Sequence, residues 1–195
     1  MEKIDYFKDE LEYIENPKIK EFAKEAIKDM PDYFFEIPGS SSGKYHPKYA
    51  LGDGGLLRHT KAAIRIAIEL FRMAMFNYFG EEGKDLIIAS LILHDGRKLG
   101  HTKGKHTVAE HPLLQTFSMK ENKKLVDILP KKQFDIICGN IESHMGHWNT
   151  AYKGKKEILP RPSNKMQSFV HLCDYLASRR CLEMNFDVEL SRKES

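Results

Sequence analysis

This chain has few cysteines, and none is placed to carry chemistry. The three present (Cys138, Cys173 and Cys181) are odd in number and include no C-x-x-C pair. That argues against a disulfide framework or a cysteine-built zinc site. Two of them fall on apolar helical faces, as buried reduced thiols do. Long apolar runs are also lacking: the longest near-continuous one, Leu86 to Leu93, falls far short of the ~20 residues a membrane-spanning helix needs. The opening residues, MEKIDYFKDE, are charged from the second position and contain no apolar segment of the signal-peptide kind. Together these absences lead us to expect a soluble, cytoplasmic protein with no membrane partner. Charge of one sign is scarce as well, with 31 basic and 28 acidic residues leaving a net +3. Such a balance suits phosphorylated ligands but falls short of the footprint of a dedicated nucleic-acid binder. Internal repeats, heptads, low-complexity tracts and a P-loop are all missing.

What the chain does have is helical periodicity. No segment shows convincing strand alternation, so the expected class is all-α, with about six to eight helices in one bundle. Residues 4–14 and 18–30 read as amphipathic helices punctuated by Pro17 and Pro31. Residues 38–55, PGSSSGKYHPKYALGDGG, form the longest irregular stretch, and loops of that length in compact domains are often functional. A long helix is expected over 56–79, with Leu56, Ala63, Ile66, Ala67, Leu70 and Ala74 on its apolar face. Residues 85–95 are apolar all round until their last two positions, as in a central helix buried on every side. Composition alone leaves a strand open there. Helix is expected again over 108–119 and 131–144, and Ser163 reads as the N-cap of a last helix ending near Glu183. One domain over 1–185 and a polar tail over 186–195 account for the chain.

Six residues stand out from this apolar background: His59, the adjacent pair His94-Asp95, His111, His144 and Asp174. His59 shares a helical face with Ala63 and Ile66; taken alone it reads as a satisfied core histidine. Asp95 closes the segment LIIASLILHD. A carboxylate buried there without a cation would cost several kcal/mol, whereas an exposed helix end before Gly96 would cost nothing. His144 continues the stripe of Phe134, Ile137 and Ile141, and Asp174 lies among Phe169, Val170 and Cys173. His111, in AEHPLL, has solvent exposure as its simplest local reading. What these separate readings leave unexplained is why several helices each bring a ligand-type residue towards the middle of the fold. Helical bundles build metal sites in that way.

The order His…His-Asp…His…His…Asp, with Lys98 three residues after Asp95, resembles the HD superfamily of metal-dependent phosphohydrolases. The matching segments are GGLLRHT with His59, LILHDGRKLG with His94-Asp95, and HLCDYLASR with Asp174. His111-Pro112 is similar to a His-Pro element of two-metal members, and His144 ends a helix as another of their ligands does. The resemblance covers about residues 54–180, the metal-binding core it implies. It differs in two places: HDGRK puts Gly96 one place earlier than HDIGK and leaves Arg97 in that glycine's position, and His144-Met145 replaces a double histidine, with His147 as the substitute. The Gly-Tyr-Pro signature of cyclic-dinucleotide hydrolases is absent.

The resemblance implies an HD-like helical bundle. It also implies one or two divalent metal ions per chain, Mn or Fe by preference, with Mg, Ni, Co and Zn as alternatives. His59, His94, Asp95 and Asp174 would hold the first, and His111 and His144, with Asp95 bridging, the second. Metal-bound hydroxide would attack phosphorus in a nucleotide or short oligonucleotide phosphoester, with Asp95 and Lys98 as the catalytic pair and Lys98 also on a phosphoryl oxygen. Lys44, Tyr45 and His46 in the 38–55 loop, and His147 and Trp148 after the last histidine ligand, are candidates for substrate binding. Two other functions fit the same residues: a di-iron oxygenase of the HD fold, and a nucleotide-binding or sensing module without turnover.

Overall fold

A computed structural model describes residues 2–40, 43–44, 46–152 and 156–182. Eight α-helices and four short 3-10 helices form an all-α bundle, and no strand occurs among the described residues. The helices are α1 (Lys8–Leu11), α2 (Pro17–Asp29), α3 (Gly55–Phe71), α4 (Gly80–Leu93), α5 (His111–Glu121), α6 (Lys123–Ile128), α7 (Lys131–Ser143) and α8 (Lys165–Ala177). None of the described helices is long and apolar enough to cross a membrane.

α4 is the axis of the molecule. Its residues from Asp85 to Leu93 are all buried, as the uninterrupted apolar run predicts, and α2, α3, α7 and α8 pack around it. Its polar groups are satisfied inside the bundle. Ser90 Oγ donates to the Leu86 carbonyl at 2.7 Å and accepts from Asn140 Nδ2 at 3.0 Å. The Asp85 carboxylate accepts the backbone N–H groups of Glu15 (3.1 Å) and Asn16 (2.8 Å). Asn16 in turn caps α2 through Lys18 N and Ile19 N, with Pro17 preorganised behind it. A single apolar cluster runs from Phe7 to Ala177.

Several expected boundaries move, each for a local reason. The amino-terminal helix is a 3-10 turn, Lys3–Phe7, followed by the four residues of α1; Glu2 N donates to Asp5 Oδ2 at 2.8 Å, which favours the tight turn. The helix expected over 56–79 stops at Phe71, and Ala74–Phe79 forms a separate 3-10 turn. That break lets Phe71, Phe76 and Phe79 all close on Phe169, at ring-centroid distances of 5.2, 4.9 and 5.0 Å. Asn164 rather than Ser163 caps α8, accepting from Met166 N and Gln167 N, and α8 ends at Ala177. Glu183 and the 186–195 tail lie outside the described residues.

α3 starts where the 38–55 loop closes on itself. Gly39 N donates to Ala50 O at 2.8 Å and Gly54 N to Glu36 O at 2.8 Å. A Cβ on Gly55 would lie 2.3 Å from the Ala50 carbonyl oxygen, so only glycine fits at that crossing, and the helix carrying His59 begins there.

Candidate metal centre

The ends of α4, α5 and α7, together with side chains of α3 and α8, meet at one cluster. His94 is the C-cap of α4 and His144 the C-cap of α7, His111 opens α5, and Asp174 lies in the last turn of α8. His59, His94, Asp95, His111 and His144 are all buried, and the Asp174 side chain is 17% exposed. His111 is therefore not the solvent-exposed residue its local sequence suggests: Pro112 starts a helix there and turns the imidazole inward.

Three of the four histidines are held alike. Nδ1 of His94, His111 and His144 lies 2.6, 2.8 and 2.7 Å from the carbonyl oxygen three residues back, on Leu91, Val108 and Ile141. This geometry assigns the proton to Nδ1 and aims the Nε2 lone pair at the cluster, the backbone orientation typical of metal-ligating imidazoles. His59 is oriented differently, with Nε2 at 2.9 Å from Asp174 Oδ1.

The two oxygens of Asp95 face different histidines. Oδ2 is 3.8 Å from His59 Nε2 and 3.6 Å from His94 Nε2, and Asp174 Oδ1 is 3.5 Å from His94 Nε2. Oδ1 is 2.9 Å from His111 Nε2 and 3.7 Å from His144 Nε2. Ligands bonded at about 2.1 Å to one ion stand about 3.0 Å apart at right angles and about 3.4 Å apart in a tetrahedron. The separations of 2.9–3.8 Å match donors arranged around a cation. Three overlapping groups each bring their donor atoms within 4.8 Å of one another: His59, His94 and Asp95; His94, His144 and Asp174; Asp95, His111 and His144. His94 Nε2 and His111 Nε2 are buried without a hydrogen-bond partner. An imidazole lone pair facing a carboxylate oxygen at 2.9 Å requires a shared cation or proton, so the donor set fits a divalent metal.

Without a metal, the local charges arrange themselves consistently. Burial alone would raise the Asp95 carboxyl, but Lys98 and His94 hold it well below the usual carboxylate range. Asp174 is likewise held well below it, because its contacts with His59 and His94 outweigh burial. His94 gains basicity because Asp95 and Asp174 overcome its desolvation. Burial, with His94 beside it, pushes His144 down to about 3. Burial also takes His46 down to about 4.

The cluster lies at the base of a cavity of about 530 Å³. Of the substrate-binding candidates, His46 and Trp148 line it along with Lys98, and so do Thr107, Tyr152 and Arg179. Lys98 is ion-paired with Asp95 Oδ2. Lys44 and His147 are exposed and are not among the lining residues. Gly146, at φ +59°, ends the α7 turn; His147 then lies against Trp148, with ring centroids 3.6 Å apart, rather than replacing a ligand at Met145. Tyr45 lies outside the described residues. Glu142 accepts from Thr116 Oγ1 and Lys120 Nζ, both at 2.8 Å, and so is engaged away from the cluster.

Both departures of the HDGRK segment have structural reasons. A Cβ on Gly96 would lie 2.4 Å from Gln115 Oε1, so the glycine lets α5 close on the turn after Asp95. Arg97 donates to Asp29 Oδ2 at 2.9 Å and also reaches Ser118 Oγ, tying that turn to α2 and α5. Sequence reasoning missed His171, whose Nδ1 lies 2.6 Å from the His144 carbonyl oxygen and fastens α7 to α8 beside two of the candidate ligands. Its only signal was its place one turn before Asp174. Comparison of the chain with models of protein families, with curated proteins and with solved structures finds no match.

Proposed function

We propose that this chain is a metal-dependent phosphohydrolase of the HD type, acting on a phosphoester of a nucleotide or short oligonucleotide. The observation that supports this most is Asp95, whose oxygens face two separate pairs of imidazoles at the base of a cavity. A bridging carboxylate flanked by histidines suits two neighbouring divalent cations. When bound, such cations supply Lewis acidity, lowering the pKa of a coordinated water and stabilising charge on phosphoryl oxygens.

The chain's own residues do the rest. His59, His94, Asp95 and Asp174 would hold one cation, and His111 and His144, with Asp95, would hold the other. The backbone carbonyls of Leu91, Val108 and Ile141 fix the imidazoles' tautomer, so the ring nitrogens need not reorient as they bind. Lys98 places an ammonium on the cavity wall, where it can bind a phosphoryl oxygen as a point charge. The cavity's size is within the roughly 300–1,000 Å³ of small-molecule sites.

The test is metal analysis of protein purified without chelator, followed by a phosphate-release screen over mononucleotides and dinucleotides with Mn and Fe. Metal-dependent release of phosphate or a nucleotide is expected. Oxygen consumption after aerobic iron loading, with no hydrolysis in the screen, would replace this reading with a di-iron oxygenase. Tight nucleotide binding with neither activity would replace it with a sensing module.

A further inference from the structure

We infer that the ligand of this cavity carries a second anionic group beside the reacting phosphoryl, and that Arg179 holds it. The inference rests on reading the cavity as a phosphoester site, and it starts from the distribution of charge on its walls. The charged lining side chains are Asp95, Asp174, Lys98 and Arg179. Asp95 is paired with Lys98, and Asp174 is engaged by His59 and His94. Arg179 is half-buried, and its guanidinium donates to neutral groups: Nε to Tyr175 O and Ser178 Oγ, both at 3.2 Å, and Nη2 to Ser178 Oγ at 2.8 Å. Among the described residues it forms no ion pair with a carboxylate. A guanidinium carries five N–H donors, so these contacts leave donors for a ligand.

The surrounding aromatic residues present that guanidinium. Arg179 folds back along α8, with its guanidinium carbon 4.4 Å from the Tyr175 ring centroid. Tyr175 follows Asp174 directly, so the charge is carried back to the level of the metal ligands. Trp148 stacks on Tyr175 with centroids 5.7 Å apart and planes 18° from parallel, and its own centroid is 5.9 Å from the guanidinium. His147 lies against Trp148 at 3.6 Å. Trp148 and Tyr175 thus spend their faces on protein groups and on Arg179, which leaves them poorly placed to sandwich a base. Their effect is to fix the plane of a guanidinium, and a fork fixed in that way binds a phosphate or carboxylate with two parallel hydrogen bonds. Lys98 cannot substitute, because it lies on Asp95 and presents a single point charge. A phosphomonoester with no further charge would engage the cluster and leave Arg179 unused.

The experiment is isothermal titration of the full chain, loaded with Mn, with three adenosine ligands: the 5′-monophosphate, the 3′,5′-bisphosphate and the 5′-diphosphate. The readout is the ratio of affinities within each protein, so it does not depend on turnover. Charge-assisted hydrogen bonds lead us to expect about a tenfold or larger preference for at least one doubly phosphorylated ligand over the monophosphate. Which of the two gains tells whether the second group lies next to the first or across the sugar. In Arg179→Gln the preference should fall to within about twofold. Arg179→Lys, which keeps the charge but not the fork, should retain part of it. Equal binding of all three ligands by the wild-type chain overturns this inference while leaving the phosphohydrolase reading intact. So does a preference that survives in Arg179→Gln. No binding of any of the three overturns both.

Discussion

Asp95 is the residue on which both candidate cation positions depend, because each of its oxygens serves a different pair of histidines. Asp95→Ala should therefore remove bound metal and activity together, whereas His111→Ala should leave one equivalent of metal and lower turnover. Losing one Lewis acid, worth several kcal/mol, corresponds to roughly 10²–10³-fold in rate. Full metal occupancy in Asp95→Ala, by elemental analysis, would show the ligand assignment to be wrong. A second buried carboxylate tests the electrostatics away from the site. Glu10 is fully buried, and burial raises its carboxyl above the ordinary 4.5 despite Lys61 Nζ at 3.2 Å. Its folded value exceeds its unfolded one, so its contribution is fully present below pH 4.5 and is lost as pH rises through the folded value. Glu10→Gln removes that dependence. Its melting temperature should gain on the wild type between pH 4 and pH 7; a constant or shrinking gap contradicts the sign.

Elements show how much of this was legible in the sequence. α4 could be read from its all-round apolar run, and so could the convergence of His59, His94, Asp95, His111, His144 and Asp174, because ligand-type residues recur on the apolar faces or at the ends of several helices. The α3 break at Phe71 could not be read, because it depends on Phe169, about a hundred residues away, drawing three phenylalanines round it. His171 and Arg97 were illegible for the same reason. Their partners are a backbone carbonyl on another helix and an aspartate on α2, and no local period encodes such pairs. The α7–α8 junction that His171 makes is also where a small change should matter most. Gly146 sits at φ +59°, and a Cβ there would come within 2.3 Å of the His171 ring. Gly146→Ala combines left-handed strain of about 1 kcal/mol with overpacking of about 1–3 kcal/mol. At about 2–4 °C per kcal/mol for a chain of this size, the melting temperature should drop by roughly 5–15 °C. In metal-loaded protein, a second cation, which His144 would help to hold, should be lost before the first. A variant that melts normally and keeps both would mean that His171 does not position His144.

At the scale of the whole molecule, the cluster joins helices far apart in the chain. Its donors come from α3, the ends of α4 and α7, the start of α5, and α8, so every cation bound there links segments that must be folded for the site to exist. Lys98 and the surrounding imidazoles favour the charged form of the buried Asp95 and Asp174 carboxyls, and a divalent ion would add direct bonds to both. Ligands that bind only the folded chain stabilise it by mass action, by about 2.7 kcal/mol at a hundredfold excess over Kd. For a domain of this size that corresponds to about 5–10 °C in melting temperature. Chelation should reverse the gain. In hydrogen exchange the protection lost should be concentrated at the carboxyl ends of α4 and α7 and the first turn of α5, while the middle of α4, enclosed by four helices, keeps its own. Because the imidazoles must be neutral to bind, protons compete with the metal, and the metal-dependent part of the stability should shrink as pH is lowered. If saturating Mn or Fe leaves the melting temperature unchanged at neutral pH, the cluster is a metal-free ion-pair network, and the chemistry proposed for the cavity loses its basis.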